Sequence, residues 1–264
     1  MNTPTAKSRS AFAFARYHVP NLARALRVLE FLAAKPEGCG VTEIASQLKI
    51  PVNSAFRVAA TLFDHGYLLR NDGTSTYRLS RKLLSLGYQA IDEAGLVETS
   101  LDVLRHLRDE TGETAMLAVL AHQEGIVIEQ VPARHPFRVT VQVGHRFPMH
   151  SSAPGKALLA FLPGAERHET LKHLRLARFT AKTITTRLKL ERELDTVRRR
   201  GYAVDRGEEV DGLCCVGAPV LNHRGHPLAA IWVTGPAQRL GEPDFDHVGA
   251  IVKEHALTLS RRLG

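Results

Sequence analysis

The sequence predicts an α+β protein in two parts, an N-terminal winged helix-turn-helix followed by a larger domain on a mainly antiparallel sheet. Three observations predict it. Apolar residues recur at helical spacing in three stretches before residue 65, and a short alternating stretch with a turn follows them. Beyond residue 112 the period changes to two, with helices interleaved among strands joined by hairpins. The third observation is charge. The 264-residue chain carries a formal +8, yet residues 1–90 hold 12 Lys and Arg against 5 Asp and Glu, while residues 91–264 hold 23 against 22. Such asymmetry implies a polyanion-binding end joined to a nearly neutral body.

Residues 1–19 lack periodicity and read as a flexible basic tail. Asn21 is placed to cap a helix through Ala34, with Leu22, Leu26, Leu29 and Ala33 on its inner face. The stretch "KPEGCG" ends it. Thr42 can cap a second helix, Glu43 to Leu48, which buries Ile44, Ala45 and Leu48. Pro51 opens a third, since proline is tolerated in a first turn. "PVNSAFRVAATLFDHGYL", Pro51 to Leu68, puts Val52, Ala55, Phe56, Ala59, Leu62 and Phe63 on a buried face. Asn53, Arg57 and Asp64 fall on the other side, flanked by Ser54 and Thr61. "GYLLRNDGTSTYRLS" then alternates into two strands around Asn71-Asp72-Gly73, a wing. These elements make a domain over residues 20–80.

Residues 81–96 read as a linker helix with Leu84, Tyr88 and Ile91 in line, and residues 97–264 as the second domain. That domain opens on an amphipathic helix with Val97, Leu101, Leu104 and Leu107, ending at Thr111-Gly112. "TAMLAVLAHQEGIVIEQV" predicts two strands around His122-Gln123-Glu124-Gly125. "FRVTVQV", Phe137 to Val143, alternates apolar and polar residues and predicts a strand. Helices are predicted at Gly155–Phe161 and Arg187–Arg200, the second stopped by Gly201. Strands around Tyr202–Asp205, Leu213–Leu221 and Pro227–Thr234 precede a terminal helix from Phe245 to Leu263.

A helix-turn-helix sets the first residues of its second helix in the DNA major groove, where Asn reads adenine, Arg reads guanine and Ser is less selective. The candidate contacts to double-stranded DNA are Thr42, Asn53, Ser54, Arg57 and Thr61, with Arg70 and Thr74 on the wing. The competing reading of the third helix is a solvated face on a core helix. "RRRG" at Arg198–Gly201 is better read as a helix end than as a nucleic-acid patch, because cations suit a C-terminal dipole.

Other chemistries fit less well. "SSAPGKALLAF" contains Gly-Lys before a helix, but His150 stands where a P-loop needs glycine and Ala157 where it needs Ser or Thr. No G-x-S-x-G elbow is present. The stretch still begins a helix, and free N–H groups near Ala153 and Pro154 would favour an anion; the alternative is a tight strand-to-helix turn. Cys214 and Cys215 invite a nucleophile or metal reading with Asp205 nearby, yet no histidine lies at a zinc spacing from them. Alternation sends their sulfurs to opposite faces, one for the core. An enzyme with its site around Asp205 and Cys215 and a metal-sensing regulator are therefore the alternatives; no cofactor, bound metal or catalytic residue is expected. Three cysteines make no disulfide framework, and no apolar run approaches the roughly 18 residues of a membrane span. With no secretory h-region either, a cytoplasmic protein that meets no membrane is expected.

Together these residues resemble the IclR family of bacterial transcriptional regulators. The resemblance is carried by Ile50-Pro51 through Arg57 to Gly66-Tyr67, by "MHSSAPGKALLAFLP" at Met149–Pro163, and by Gly201-Tyr202-Ala203, Asp205, Glu208-Glu209, Gly212-Leu213, Cys215 and Ala218-Pro219-Val220. It spans about residues 20 to 260. It implies a ligand-responsive regulator, a repressor of a metabolic operon, with a GAF-like effector-binding domain over 97–264 that takes a small carboxylate. It also implies homodimers or dimers of dimers. By position it assigns Ala153, Pro154, Asp205, Cys215, Trp232 and Thr234 to the effector pocket. The family often has Lys or Arg after the proline and His before the arginine, where this chain has Val52 and Phe56. It commonly has a small residue where this chain has Trp232. A hydroxy acid or single-ring aromatic acid is the expected effector. The apolar helices Leu22–Ala33 and Leu84–Ile91 are expected to meet a second copy.

Overall fold

The computed structural model describes residues 19–83, 85–86, 95–121 and 123–263. Residues 1–18 of the expected tail, Leu84, Tyr88 and Ile91 of the expected linker helix and His122 of the expected turn lie outside the described residues. The chain divides into two units between residues 91 and 92.

In the first unit, α1 (Pro20–Ala33) starts with Pro20 in its first turn under Val19. Proline's fixed φ suits that place, and its missing N–H is no loss there. Asn21 does not cap the helix; its Oδ1 accepts from Arg24 Nη1 at 2.9 Å. The inner face is also rotated from the expected one. Val28 and Leu32 are buried with Ala25 and Leu29 packed beside them, while Leu22 and Leu26 remain 58% and 52% exposed. A two-residue strand β1 (Cys39–Gly40) leads into α2 (Val41–Leu48), which Gly40 precedes as N-cap, so Thr42 sits inside the first turn rather than capping it. Lys49, at φ 52°, closes α2. Pro51 is the N-cap of α3 (Val52–Asp64), and Gly66 at φ 75° turns the chain away before Leu68.

The buried face of α3 is Ala55, Val58, Ala59 and Leu62, packed with Val28, Leu32, Ile44 and Leu68. Val52, Phe56 and Phe63, expected inside, lie outside it. Small side chains at 55 and 59 let α1 and α2 approach closely, so the contact line runs through them and leaves the larger residues on the flank. Strands β2 (Leu68–Asn71) and β3 (Thr76–Leu79) form the wing, with Leu68 opposite Leu79 and Asn71 opposite Thr76; β1 pairs with the free side of β3.

The second unit is a six-stranded antiparallel sheet in the order β6-β5-β4-β9-β8-β7. Helix α4 (Leu96–Thr111) leads through Gly112 at φ 73° into β4 (Thr114–Ala121) and β5 (Glu124–Val131). After β6 (Arg146–Pro148) come α5 (Ala153–Phe161), α6 (Gly164–His173) and α7 (Arg187–Arg200). Strands β7 (Ala203–Asp205), β8 (Leu213–Leu221) and β9 (Pro227–Pro236) precede α8 (Phe245–Leu263). Helices α4 and α8 pack on each other and on the sheet, whereas α5 lies against β8 and β9 with α7 behind it. The face under α5 contributes Met116, Ala118, Ala230 and Trp232 to the core.

The expected strand at Phe137–Val143 is a loop. Its alternation holds only in the middle: Val139 and Val141 line the cavity, but Phe137 and Val143, expected inward with them, are 63% and 60% exposed. Its ladder is missing. The Gln130 side chain takes the place of a neighbouring strand, bonding both the N–H and the carbonyl of Val141. Helix α6 was not expected, because among its residues only Leu171 is buried and no apolar stripe announces it. No helix among the described residues is long and apolar enough to cross a membrane.

Candidate functional site

The N-terminal unit presents the exposed side of α3. Asn53 and Arg57 are exposed there one turn apart, and among the described residues neither side chain has a partner. Ser54 is different. It is half-buried, and its Oγ accepts from Arg24 Nη1 of α1 at 3.2 Å. Thr61 is exposed, but its hydroxyl donates to the Arg57 carbonyl at 2.8 Å, within its own helix. Thr42 is exposed at the start of α2. On the wing, Arg70 lies 6.0 Å from the Tyr77 ring centre and 3.9 Å from Asp72. Thr74 sits at the tip, 2.8 Å from the Thr76 hydroxyl. Of the seven expected contacts, the structure leaves Asn53, Arg57, Thr42, Arg70 and Thr74 facing outward with side-chain capacity to offer.

The second unit holds a cavity of about 130 Å³. Strand register builds its floor. Asp205 on β7 pairs with Cys215 on β8, and Cys215 pairs with Thr234 on β9, so these side chains stand in one row across three strands. The next row is Gly217, Trp232 and Met116. Gly217 is needed there, because a Cβ would stand 2.9 Å from the Trp232 Cβ and 3.3 Å from the Pro154 nitrogen. Its absence lets the start of α5 settle on the sheet. Trp232 meets Phe147 edge-on, with ring centres 5.6 Å apart. Val139 and Val141 line the cavity as well.

The start of α5 is more self-sufficient than expected. Pro154 has no N–H, and the Gly155 N–H donates to the Ser152 cap hydroxyl at 3.2 Å. Gly155 itself is forced, since a Cβ would lie 2.5 Å from the Met149 carbonyl oxygen. Only the Ala153 N–H is left among the first three positions. The Ala153 side chain is fully buried in the core and does not line the cavity, unlike Pro154, Asp205, Cys215, Trp232 and Thr234.

Charge is arranged around a buried lysine. Lys156 is fully buried, and its Nζ donates to Glu208 Oε1 and to the Val204 carbonyl at 2.6 Å. The cation is therefore directed to Glu208. Asp205 Oδ1 accepts from the Glu208 N–H at 2.6 Å. Burial raises the Asp205 carboxyl to about 6 despite that bond and the nearby Lys156. Glu209, which sequence reasoning did not select, also lines the cavity. Burial, followed by repulsion from Asp205, raises it to about 7. Its adjacency to Glu208 in "RGEEVDG" was the available signal. Burial raises the Cys215 thiol well above its usual range, so it is neutral and lies 3.3 Å from the Thr234 hydroxyl. A neutral thiol is a poor nucleophile and metal ligand. Among the described residues no three His, Cys, Asp or Glu side chains converge as a metal site would require.

The comparisons with known proteins agree with this division. Residues 21–72 match the IclR helix-turn-helix domain, and residues 88–261 match the domain described as bacterial transcriptional regulator IclR C-terminal. The chain is similar to the transcriptional repressor IclR of Escherichia coli K12, at 30% identity covering 98% of this chain and 95% of that protein. It is similar in structure to the IclR protein of Thermotoga maritima, with a TM-score of 0.74 and 32% identity over 94% of this chain and 100% of that one. A third likeness is to an IclR homologue from Microbacterium hydrocarbonoxydans, whose structure is a complex with 4-hydroxybenzoate. There the TM-score is 0.80 at 26% identity, covering 92% of this chain and 98% of that one.

Proposed function

The chain belongs to the IclR family of bacterial transcriptional regulators, and on that premise we propose that it is a repressor whose DNA affinity is set by a small hydroxy acid bound in the second unit. Asn53 and Arg57 read base edges, while Thr42, Arg70 and Thr74 hold the flanking backbone. Leu22 and Leu26, exposed on α1, are the surface through which two copies assemble.

The observation that carries the effector reading is the row Asp205–Cys215–Thr234 along the floor of the cavity. Asp205 and Thr234 stand two strand spacings apart, roughly 10 Å between backbones. Two carboxyl groups, Asp205 and Glu209, occupy one end. That end repels an anion and suits a ligand hydroxyl, which can donate to either carboxyl. Thr234 accepts from the Cys215 thiol, leaving its own proton for a ligand carboxylate beside the positive end of α5. The space is close to the roughly 150 Å³ in which an apolar cavity holds one benzene ring. A single-ring hydroxy acid or a shorter hydroxy acid fits both the length and the polarity.

Trp232 is the chain's one tryptophan and lines the cavity. Titration with 4-hydroxybenzoate and with short hydroxy acids is expected to change its emission over the same concentrations that change DNA affinity. An acid that alters DNA binding while emission stays flat would place the effector elsewhere.

A further inference from the structure

The recognition helix exposes more than its polar groups. Val52 and Phe56 are 51% and 52% exposed, one turn apart, outside the packed core of their unit. They adjoin Asn53 and Arg57, also one turn apart. At 3.6 residues per turn the two pairs form neighbouring edges of one outward arc in the first two turns. Any surface that receives Asn53 and Arg57 also receives Phe56.

We infer that Phe56, supported by Val52, reads thymine methyl groups in the major groove. The inference rests on α3 being the helix that enters the groove. Asn and Arg recognise hydrogen-bonding base edges; the thymine 5-methyl is the apolar group that the major groove offers among them. An exposed phenyl ring is a poor phosphate contact and gains nothing from the polar edges of guanine or cytosine. Against a methyl it recovers the apolar burial that folding did not supply. Charge favours DNA over a second copy of this chain on the same face, because Arg57 lies within it and residues 1–90 carry a surplus of +7. Phe63, 42% exposed, lies two turns farther along and beyond the residues that reach bases, so it is not included.

The test uses the full chain to enrich duplexes from a randomised pool. Each thymine of the resulting consensus is then replaced singly by deoxyuridine, which removes only the 5-methyl. One or two thymines per half-site are expected to show about a fourfold loss of affinity on replacement. Phe56→Ala is expected to bind the thymine and uracil duplexes equally, while Phe56→Leu keeps part of the discrimination. An unchanged thermal melt and unchanged salt dependence on an unrelated duplex establish that the variants are folded. Uracil duplexes that bind as tightly as thymine ones, or a penalty undiminished in Phe56→Ala, overturn the assignment while leaving DNA reading intact. Loss of dimers by Phe56→Ala in light scattering also overturns it, in favour of a contact between copies. A pool that yields no consensus overturns the reading of α3 itself.

Discussion

Helices α3 and α5 both begin at a proline-containing turn and both border a candidate site, yet they are built oppositely. In α3 only Ala55, Val58, Ala59 and Leu62 are buried, and the first two turns leave Val52, Asn53, Phe56 and Arg57 outside. In α5 every residue from Ala153 to Ala160 is buried, including Lys156, and its cap hydroxyl already bonds the Gly155 N–H. A helix that reads a macromolecule is left with unmet contacts, which the partner supplies. A helix that walls a small cavity is satisfied internally, so that rigidity defines the space. The difference predicts where substitutions act. Changes in α5 are expected to cost stability first, and changes on the outer face of α3 to cost binding alone.

The largest expected effect is at Lys156. Lys156→Ala leaves Glu208 buried without its partner, and breaking such a pair costs about 3–5 kcal/mol. The measurement is denaturant unfolding of the full chain. The first unit has its own core, so its transition should stay in place while that of the second moves. A variant whose second transition does not shift would mean that Glu208 is relieved by other groups and that α5 is not held by this charge.

Next is Arg57. Arg57→Ala is expected to cost about 1–3 kcal/mol on the preferred duplex and to relax specificity at one position of each half-site. Its effect on unfolding should stay within about 0.5 kcal/mol, as for an exposed site. The affinity of the parent chain should also fall with salt by about 0.9 log units per phosphate contact for each log unit of salt. An Arg57→Ala variant with an unchanged specificity profile and one unit less of salt slope would make Arg57 a phosphate contact.

The third prediction concerns pH and belongs to the cavity. Asp205 titrates at about 6 and Glu209 at about 7, both above ordinary carboxyl values. The folded unit therefore keeps protons that the unfolded chain has already released. Stability falls as pH rises from about 4, and levels off once the folded-state values are passed. Glu209→Gln removes the higher of the two steps. It is expected to flatten the slope between about pH 5 and 7 and to raise stability at pH 8 by about 1–2 kcal/mol, less than the full relief of the buried charge because the glutamine amide must itself be desolvated. Unfolding curves at pH 5 and pH 8 check it. Parallel shifts at both would show that Glu209 escapes to solvent on ionising.

A contrast between local signals and packing runs through the rest of the chain. The start and stop of the elements could be read where turn residues govern them, as at Gly112 and Gly201, both with left-handed φ. Strand alternation put the two sulfurs of Cys214 and Cys215 on opposite faces, because the period of two is a property of the backbone, but it was the family resemblance that assigned Cys215 to the cavity. Face assignment in α3 failed for Phe56 and Val52 because hydrophobicity does not say which apolar residues touch a neighbour. That depends on how closely α1 and α2 approach, and the alanines decide it. The Phe137–Val143 loop has a strand's alternation, but a ladder needs a backbone partner, and Gln130 supplied a side chain instead. Glu209 was missed although the pair Glu208-Glu209 close after Asp205 was visible, because the pattern does not say which of two adjacent carboxyls lies against the cavity and which meets Lys156.

The smallest expected effect is at Ser54, and it separates the two ways a residue of α3 can matter. Ser54 stands on the recognition helix between Asn53 and Arg57, but its hydroxyl accepts from Arg24 of α1. If that bond is its role, it fixes the angle between α1 and α3 and contacts no base. Ser54→Ala should then cost about 0.5 kcal/mol of stability, the low end for a partly buried hydrogen bond. Arg24→Gln also loses the exposed bond to Asn21 and should cost slightly more, and the double variant little more than Arg24→Gln alone, since the two share the Ser54 bond. The base preferences of the enriched consensus should be unaltered in all three. If Ser54→Ala instead leaves stability untouched and relaxes one base position, its hydroxyl turns from Arg24 to the groove on binding, and the outward set of α3 grows by one. Only a measurement of both quantities on the same variant distinguishes these, because a modest drop in affinity follows from either.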